Sequence, residues 1–226
     1  STIELINNSV IVTITANEKI QQIEGWAIDS KQKILTKIFT TNDEETVTIT
    51  DLAGNTSTID VKVTNIDKTE IEADVKYSTT IWTNKDVTVT ITLNKAIKEI
   101  ENWKLSEDGK TLTKVFTSNE EKELEVQDLA GNTKKLKVSV ANIDKTAPII
   151  DVSYNIISAT NKDVIVIITA NEEIQKIEGW TLSEDGKALT KTYSTNKEET
   201  IILQDIAGNT IESNIKITNI DKEKPK

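Results

Sequence analysis

Three lysines recur at equal distances along the chain, Lys37, Lys114 and Lys191, and each travels with a glutamate and an asparagine at fixed offsets. The sets are Lys37, Glu24 and Asn65; Lys114, Glu101 and Asn142; Lys191, Glu178 and Asn219. Each lysine lies between Leu and Phe or Tyr, as in Leu112, Lys114 and Phe116, and its alternation places it on an inward strand parity. Burial lowers the pKa of an amine and leaves it nucleophilic. With a carboxyl to shuttle protons, such an amine can attack a core asparagine and form an intramolecular isopeptide bond, losing one ammonia that intact mass would register. The plainer reading, which the pattern favours, is a strand-end lysine that snorkels past the ring and pairs with a glutamate.

A second set is acidic. Asp51, Asp128 and Asp205 open turns, and Asp67, Asp144 and Asp221 sit at junctions between repeats. Asp67, Asp144, Asp128 and Asp205 are the candidates for calcium, a hard cation that takes oxygen ligands and would lock neighbouring repeats. No segment has the dense alternating acids of a dedicated calcium loop, so ordinary turn chemistry, with Asp and Asn bonding their own backbone, is the favoured reading. A third set is a contact surface: Trp82, with Ile165 and Ile167 at outward parities that hold threonines one repeat earlier. No other cofactor is expected. The chain has no Cys, His, Met or Arg, which excludes thiol nucleophiles, disulfides, Cys/His zinc sites and a Ser-His-Asp triad. Its net charge of −10 argues against nucleic acid or an anionic membrane as partner. No apolar run is long enough to insert into a membrane. Pairs such as Glu44-Glu45 and Glu120-Glu121 read as solvated loop charge, and no enzyme is expected.

The elements that must position these groups repeat with a period of 77, so the 226 residues are nearly three copies. Trp26, Trp103 and Trp180 mark the period, as do the D-[LI]-A-G-N-T segments at Asp51, Asp128 and Asp205 and the N-I-D-K segments at Asn65, Asn142 and Asn219. Within a copy the pattern has period two: Val87, Val89, Ile91 and Leu93 alternate with threonines, as in a strand with one buried and one wet face. No helical period is sustained. Six or seven short strands per copy predict an all-β fold of three tandem Ig-like β-sandwich domains in a rod-like array: residues 1–69 (first strand missing), 70–146, and 147–226 with the start of a further junction. The D-L-A-G-N turn joins Glu123–Gln127 to Leu136–Ile143 as a hairpin, with the Trp103 strand beside it in the same sheet. A three-residue hairpin at Ser106–Lys110 would put the apolar residues of its two arms on different faces, so the chain is expected to change sheet there. Gln32 replaces Gly109 in the first copy, which weakens the case that this turn demands a left-handed residue.

The segment Tyr77–Val89, the mid-copy G-W or N-W, the L-S-E-D-G-K turn, D-L-A-G-N-T and the closing N-I-D-K-T-A-P together resemble the bacterial Ig-like (Big-type) tandem repeats of Gram-positive cell-surface proteins and adhesin stalks. The resemblance covers essentially the whole chain. It implies an extracellular, cell-surface location and a non-enzymatic spacer or stalk, with an adhesin module binding a host or matrix glycan or protein as the alternative. Intramolecular isopeptide bonds occur in some stalk domains of this kind. The first copy lacks the segment matching Ile71–Tyr77. Either a longer array continues beyond it, or a like chain donates the strand, which would build a filament or surface layer. The expected partners are therefore neighbouring repeats and, through strand donation at the first unit, like chains.

Overall fold

The computed structural model describes residues 4–225, and among them every regular element is a β-strand. None is a helix long and apolar enough to cross a membrane. The first copy has β1 (Val10–Thr15), β2 (Ala27–Ile28), β3 (Ile34–Phe39), β4 (Asp43–Thr50) and β5 (Thr56–Val63). The second has β6 (Ala73–Tyr77), β7 (Val87–Leu93), β8 (Lys104–Leu105), β9 (Thr111–Phe116), β10 (Glu120–Gln127) and β11 (Thr133–Val140). The third has β12 (Ile150–Tyr154), β13 (Val164–Ala170), β14 (Thr181–Leu182), β15 (Ala188–Tyr193), β16 (Lys197–Gln204) and β17 (Thr210–Ile217).

Each copy forms two sheets. The larger runs β6-β7-β9-β8 in the second and β12-β13-β15-β14 in the third, and is reduced to β1-β3-β2 in the first. The smaller is the hairpin β4-β5, β10-β11 or β16-β17. This is a tandem β-sandwich fold, and the alternation of β7 explains it locally: Val87, Val89 and Ile91 are fully buried while Thr88, Thr90 and Thr92 point outward. Burying each such side chain contributes roughly 1.5–3 kcal/mol.

By internal contacts the chain falls into two compact units. One comprises residues up to 75 with 90–113 and 123–137; the other comprises 76–89, 114–122 and the residues from 138 onward. The first is built around Ile14, Trp26, Leu35, Phe39, Val47 and Val61. The second is built around Val166, Ile168, Trp180, Leu189, Tyr193 and Leu203. In both, the tryptophan meets the aromatic ring of the adjacent strand edge-on, Trp26 against Phe39 and Trp180 against Tyr193, with ring centroids 6.4 Å apart.

Three expectations about the strands need correction. The Trp strand pairs within the larger sheet, β8 with β9, and lies apart from the β10-β11 hairpin. The chain also stays in one sheet at Ser106–Lys110. The pairing is Leu105 opposite Leu112 and Lys104 opposite Thr113, one residue off the register that would have split the apolar sets. The loop fixes that register through Thr111 N donating to Ser106 Oγ and Gly109 N to the Ser106 carbonyl. The same register recurs in the other copies, with Ile28 opposite Leu35 and Leu182 opposite Leu189. Finally, the turn does demand a left-handed residue: Gly109 has φ 70°, Gly186 has φ 69°, and Gln32 adopts φ 57° despite its side chain.

Candidate functional site

The lysine sets do not assemble as the isopeptide reading requires. Glu24, Glu101 and Glu178, the carboxyls that would shuttle the proton, are all exposed. The carboxylate that reaches Lys37 is Glu45, on the strand that opens the other sheet, at 2.6 Å. Lys191 likewise meets Glu199 at 2.7 Å. The lysines stand over rings as the snorkelling reading expects: Lys37 lies 5.0 Å from the Phe39 centroid, Lys114 5.0 Å from Phe116 and Lys191 4.9 Å from Tyr193. The asparagines are engaged elsewhere. Asn65 donates its amide to the Glu4 carbonyl, Asn142 to those of Ile81 and Thr79, and Asn219 to those of Ser158 and Ile156. They latch the segment that enters each copy to the strand that leaves it. A further asparagine series went unnoticed in the sequence: Asn42, Asn119 and Asn196 each clamp the backbone N–H and carbonyl of Ile66, Ile143 and Ile220.

Between copies the charged partners change. Glu199 accepts from Lys191, Lys197 and the Tyr193 hydroxyl. In the first copy those last two positions are Asp43 and Phe39, and Oε1 of Glu45 is buried without a hydrogen bond. A buried acceptor left unmet costs about 1–3 kcal/mol. Phe39→Tyr should therefore stabilise the first copy by roughly 1 kcal/mol in urea unfolding, by supplying the missing hydroxyl; destabilisation would show that the ring has no room to donate.

Lys191, then Lys197 and Tyr193, hold the Glu199 carboxyl down at about 2, against an ordinary 4.5. A depressed folded-state pKa stabilises fully above the unfolded value and loses that contribution as pH falls through the folded one. The stability difference between the wild type and Glu199→Gln should thus shrink by about 2–3 kcal/mol between pH 5 and pH 2. A difference that stays constant would contradict the ion-pair geometry.

The acidic set converges at the junctions, and the two junctions are built alike. In the first unit, Asn7 N donates to the Ala130 carbonyl at 2.9 Å, and in the second, Asn84 N to that of Ala207 at 2.8 Å. The Asn132 amide reaches the Asp67 carbonyl at 3.0 Å, and the Asn209 amide reaches that of Asp144 at 3.0 Å. These contacts bury the hairpin tips. Asp128 is 2% exposed and Asp205 0%, whereas Asp51, at the corresponding tip of the first copy, is half-buried. Each aspartate is the hub of its own turn: Asp128 Oδ1 accepts from the Ala130 and Asn132 N–H groups, and Asp205 Oδ1 from those of Gly208 and Asn209.

At the first junction an ammonium fills the acidic space. Lys95 Nζ lies 2.9 Å from both carboxylate oxygens of Asp67, 2.9 Å from Asp128 Oδ2 and 2.7 Å from the Thr69 carbonyl. The Thr69 hydroxyl, then Lys95, hold the Asp67 carboxyl at about 2. Burial pushes Asp128 up, but the Asn132 amide and Lys95 outweigh it and leave it below the usual carboxylate range. At the second junction the residue one period after Lys95 is Glu172. Asp144, Glu172 and Asp205 each bring a carboxylate oxygen within 4.8 Å of the others. Burial, then the charges of Asp144 and Asp205, push the Glu172 carboxyl above its ordinary value. Asp67, Asp128, Asp144 and Asp205 are thus all at junctions, while Asp221 at the far end is exposed.

The contact-surface residues lie apart from these sites. Trp82 is 48% exposed and lines a groove of about 350 Å³ with Tyr77, Thr79, Ser139 and Asn142. Ile165 is half-buried and Ile167 36% exposed, both on the outward face of β13 opposite Thr192 and Thr190.

No protein-family model matches the chain, and no curated protein does. Among solved structures, the human desmocollin-1 ectodomain is similar to it with a TM-score of 0.25 and 12% identity, over 96% of this chain and 52% of that one. The chain spans about half the length of that ectodomain.

Proposed function

We propose that the chain is a non-enzymatic structural spacer of stalk type in an exported bacterial surface protein, holding apart the segments at its two ends. The observation that supports this most is the junction built twice: the same asparagine N–H, the same amide latch and the same buried aspartate stand where a flexible linker would carry solvated backbone. Short connectors tied in this way restrict the reorientation of neighbouring repeats. Under load, each copy resists through its sheet hydrogen bonds. Pulling single molecules by force spectroscopy tests this. A sawtooth of equal steps is expected, each releasing roughly 25 nm of contour as 77 residues extend. Smooth extension without force peaks would overturn the mechanical role.

A second reading, an adhesin module, draws on the groove at Trp82, where an exposed indole beside Tyr77 offers a stacking surface for a glycan or peptide. Binding to a glycan or matrix array that Trp82→Ala removes would support adhesion in place of a pure spacer.

A further inference from the structure

The period of 77 makes each junction a control for the other, and they differ at one decisive position. At the first, two carboxylates surround the Lys95 ammonium, which has four oxygens at 2.7–2.9 Å. At the second, the scaffold is preserved. Thr146 N donates to Asp144 Oδ1 at 2.9 Å as Thr69 N does to Asp67 Oδ1 at 3.0 Å. The Asn209 amide holds Asp205 Oδ2 at 2.8 Å as the Asn132 amide holds Asp128 Oδ2 at 2.8 Å. The lysine, however, is replaced by Glu172, so a cradle that binds a cation in one copy presents three carboxylates in the next. Charges of one sign packed this closely, with Asp205 wholly buried, repel strongly unless neutralised. The charge of Lys187 also bears on Glu172, and its Nζ lies 3.5 Å from the Asn171 carbonyl.

We propose that the second junction binds a divalent cation, calcium, through Asp144, Glu172 and Asp205, with the Thr146 carbonyl as the counterpart of the Thr69 oxygen that holds Lys95. The cluster itself shows only that acids are close. What points to a ligand is the equivalent pair, Asp67 and Asp128, already ligating a cationic group in the same scaffold. All the donors are hard oxygens, which suits calcium or magnesium rather than a soft metal. Calcium suits the site better than magnesium, because it accepts flexible coordination by protein carboxylates and carbonyls, whereas magnesium dehydrates reluctantly and keeps several of its waters. The proposal stands independently of the spacer reading.

The test uses the full chain, stripped with chelator and titrated with calcium chloride by calorimetry, with thermal melts alongside. One ion per chain is expected, with a dissociation constant on the order of 10⁻⁴–10⁻³ M. At 10 mM calcium the melting temperature should rise by roughly 3–6 °C. Magnesium should bind at least about 10-fold more weakly. Glu172→Gln should weaken calcium about 10-fold or more. Glu172→Lys, which restores the arrangement of the first junction, should abolish binding and melt above the wild type in calcium-free buffer, a gain that also shows it folds. No heat and no melting shift at 10 mM calcium would overturn the proposal. So would calcium binding that Glu172→Lys leaves intact.

Discussion

Replacing Lys95 with methionine is expected to cost about 3 kcal/mol, the lower end of the range for removing one partner of a buried ion pair. The cost arises because Asp128, 2% exposed, loses its counter-charge while remaining enclosed by its own turn. The lower end is appropriate because Lys95 and Asp67 keep some contact with water, at 17% and 25% exposure. The loss carries a pH signature. Asp67 and Asp128 have depressed carboxyls in the wild type, so the benefit of Lys95 is complete above about pH 4 and fades as pH falls toward 2. Urea unfolding of the wild type and of Lys95→Met at pH 7 and pH 2.5 measures both effects. A difference under about 1 kcal/mol at pH 7 would mean that the pair behaves like a surface salt bridge.

The other large effect is expected from Trp180→Ala, at about 3–5 kcal/mol. Trp180 is 4% exposed, packs edge-on against Tyr193 and receives the Lys191 ammonium 5.4 Å from its ring centroid. Truncation opens a cavity and removes a ring pair worth about 0.5–1.5 kcal/mol beyond its area. The same substitution at Trp103 should cost less, because that indole is only partly buried and follows Asn102, at φ 64°, where the other copies have glycine. Equal losses at Trp103 and Trp180 would contradict the difference in packing between the copies.

The strands were the most legible part of the sequence. A side-chain period of two over Val87–Leu93 leaves one solution once the face with valine and isoleucine must be buried. The hairpin at Ser106–Lys110 was misjudged because its register turns on a single residue, settled by the Ser106 hydroxyl and the left-handed Gly109, which no apolar pattern encodes. The partner of Lys37 was misassigned for a related reason. Glu45 reads in the sequence as solvated loop charge, but it lies on β4, and the path of that strand into the second sheet brings it to the ammonium. The junction chemistry was half visible. The aspartates stood out because they repeat, whereas the decisive position is one that fails to repeat, Lys95 against Glu172. Agreement between copies reveals the fold, and departures from it show where the copies differ in chemistry.

On the spacer reading proposed above, each junction holds its two repeats in fixed geometry. Since the chain has no cysteine, spin labels can be placed at two introduced cysteines without background, both within the first compact unit: one at the exposed Thr58 of β5 and one at the exposed Lys135 of β11. The distance distribution by pulsed electron resonance tests the claim most directly. One narrow distribution is expected, little wider than the label rotamers allow, that broadens when Asn132, the latch of that junction, is changed to alanine. A broad distribution in the unmodified chain, as for repeats on free tethers, would contradict it.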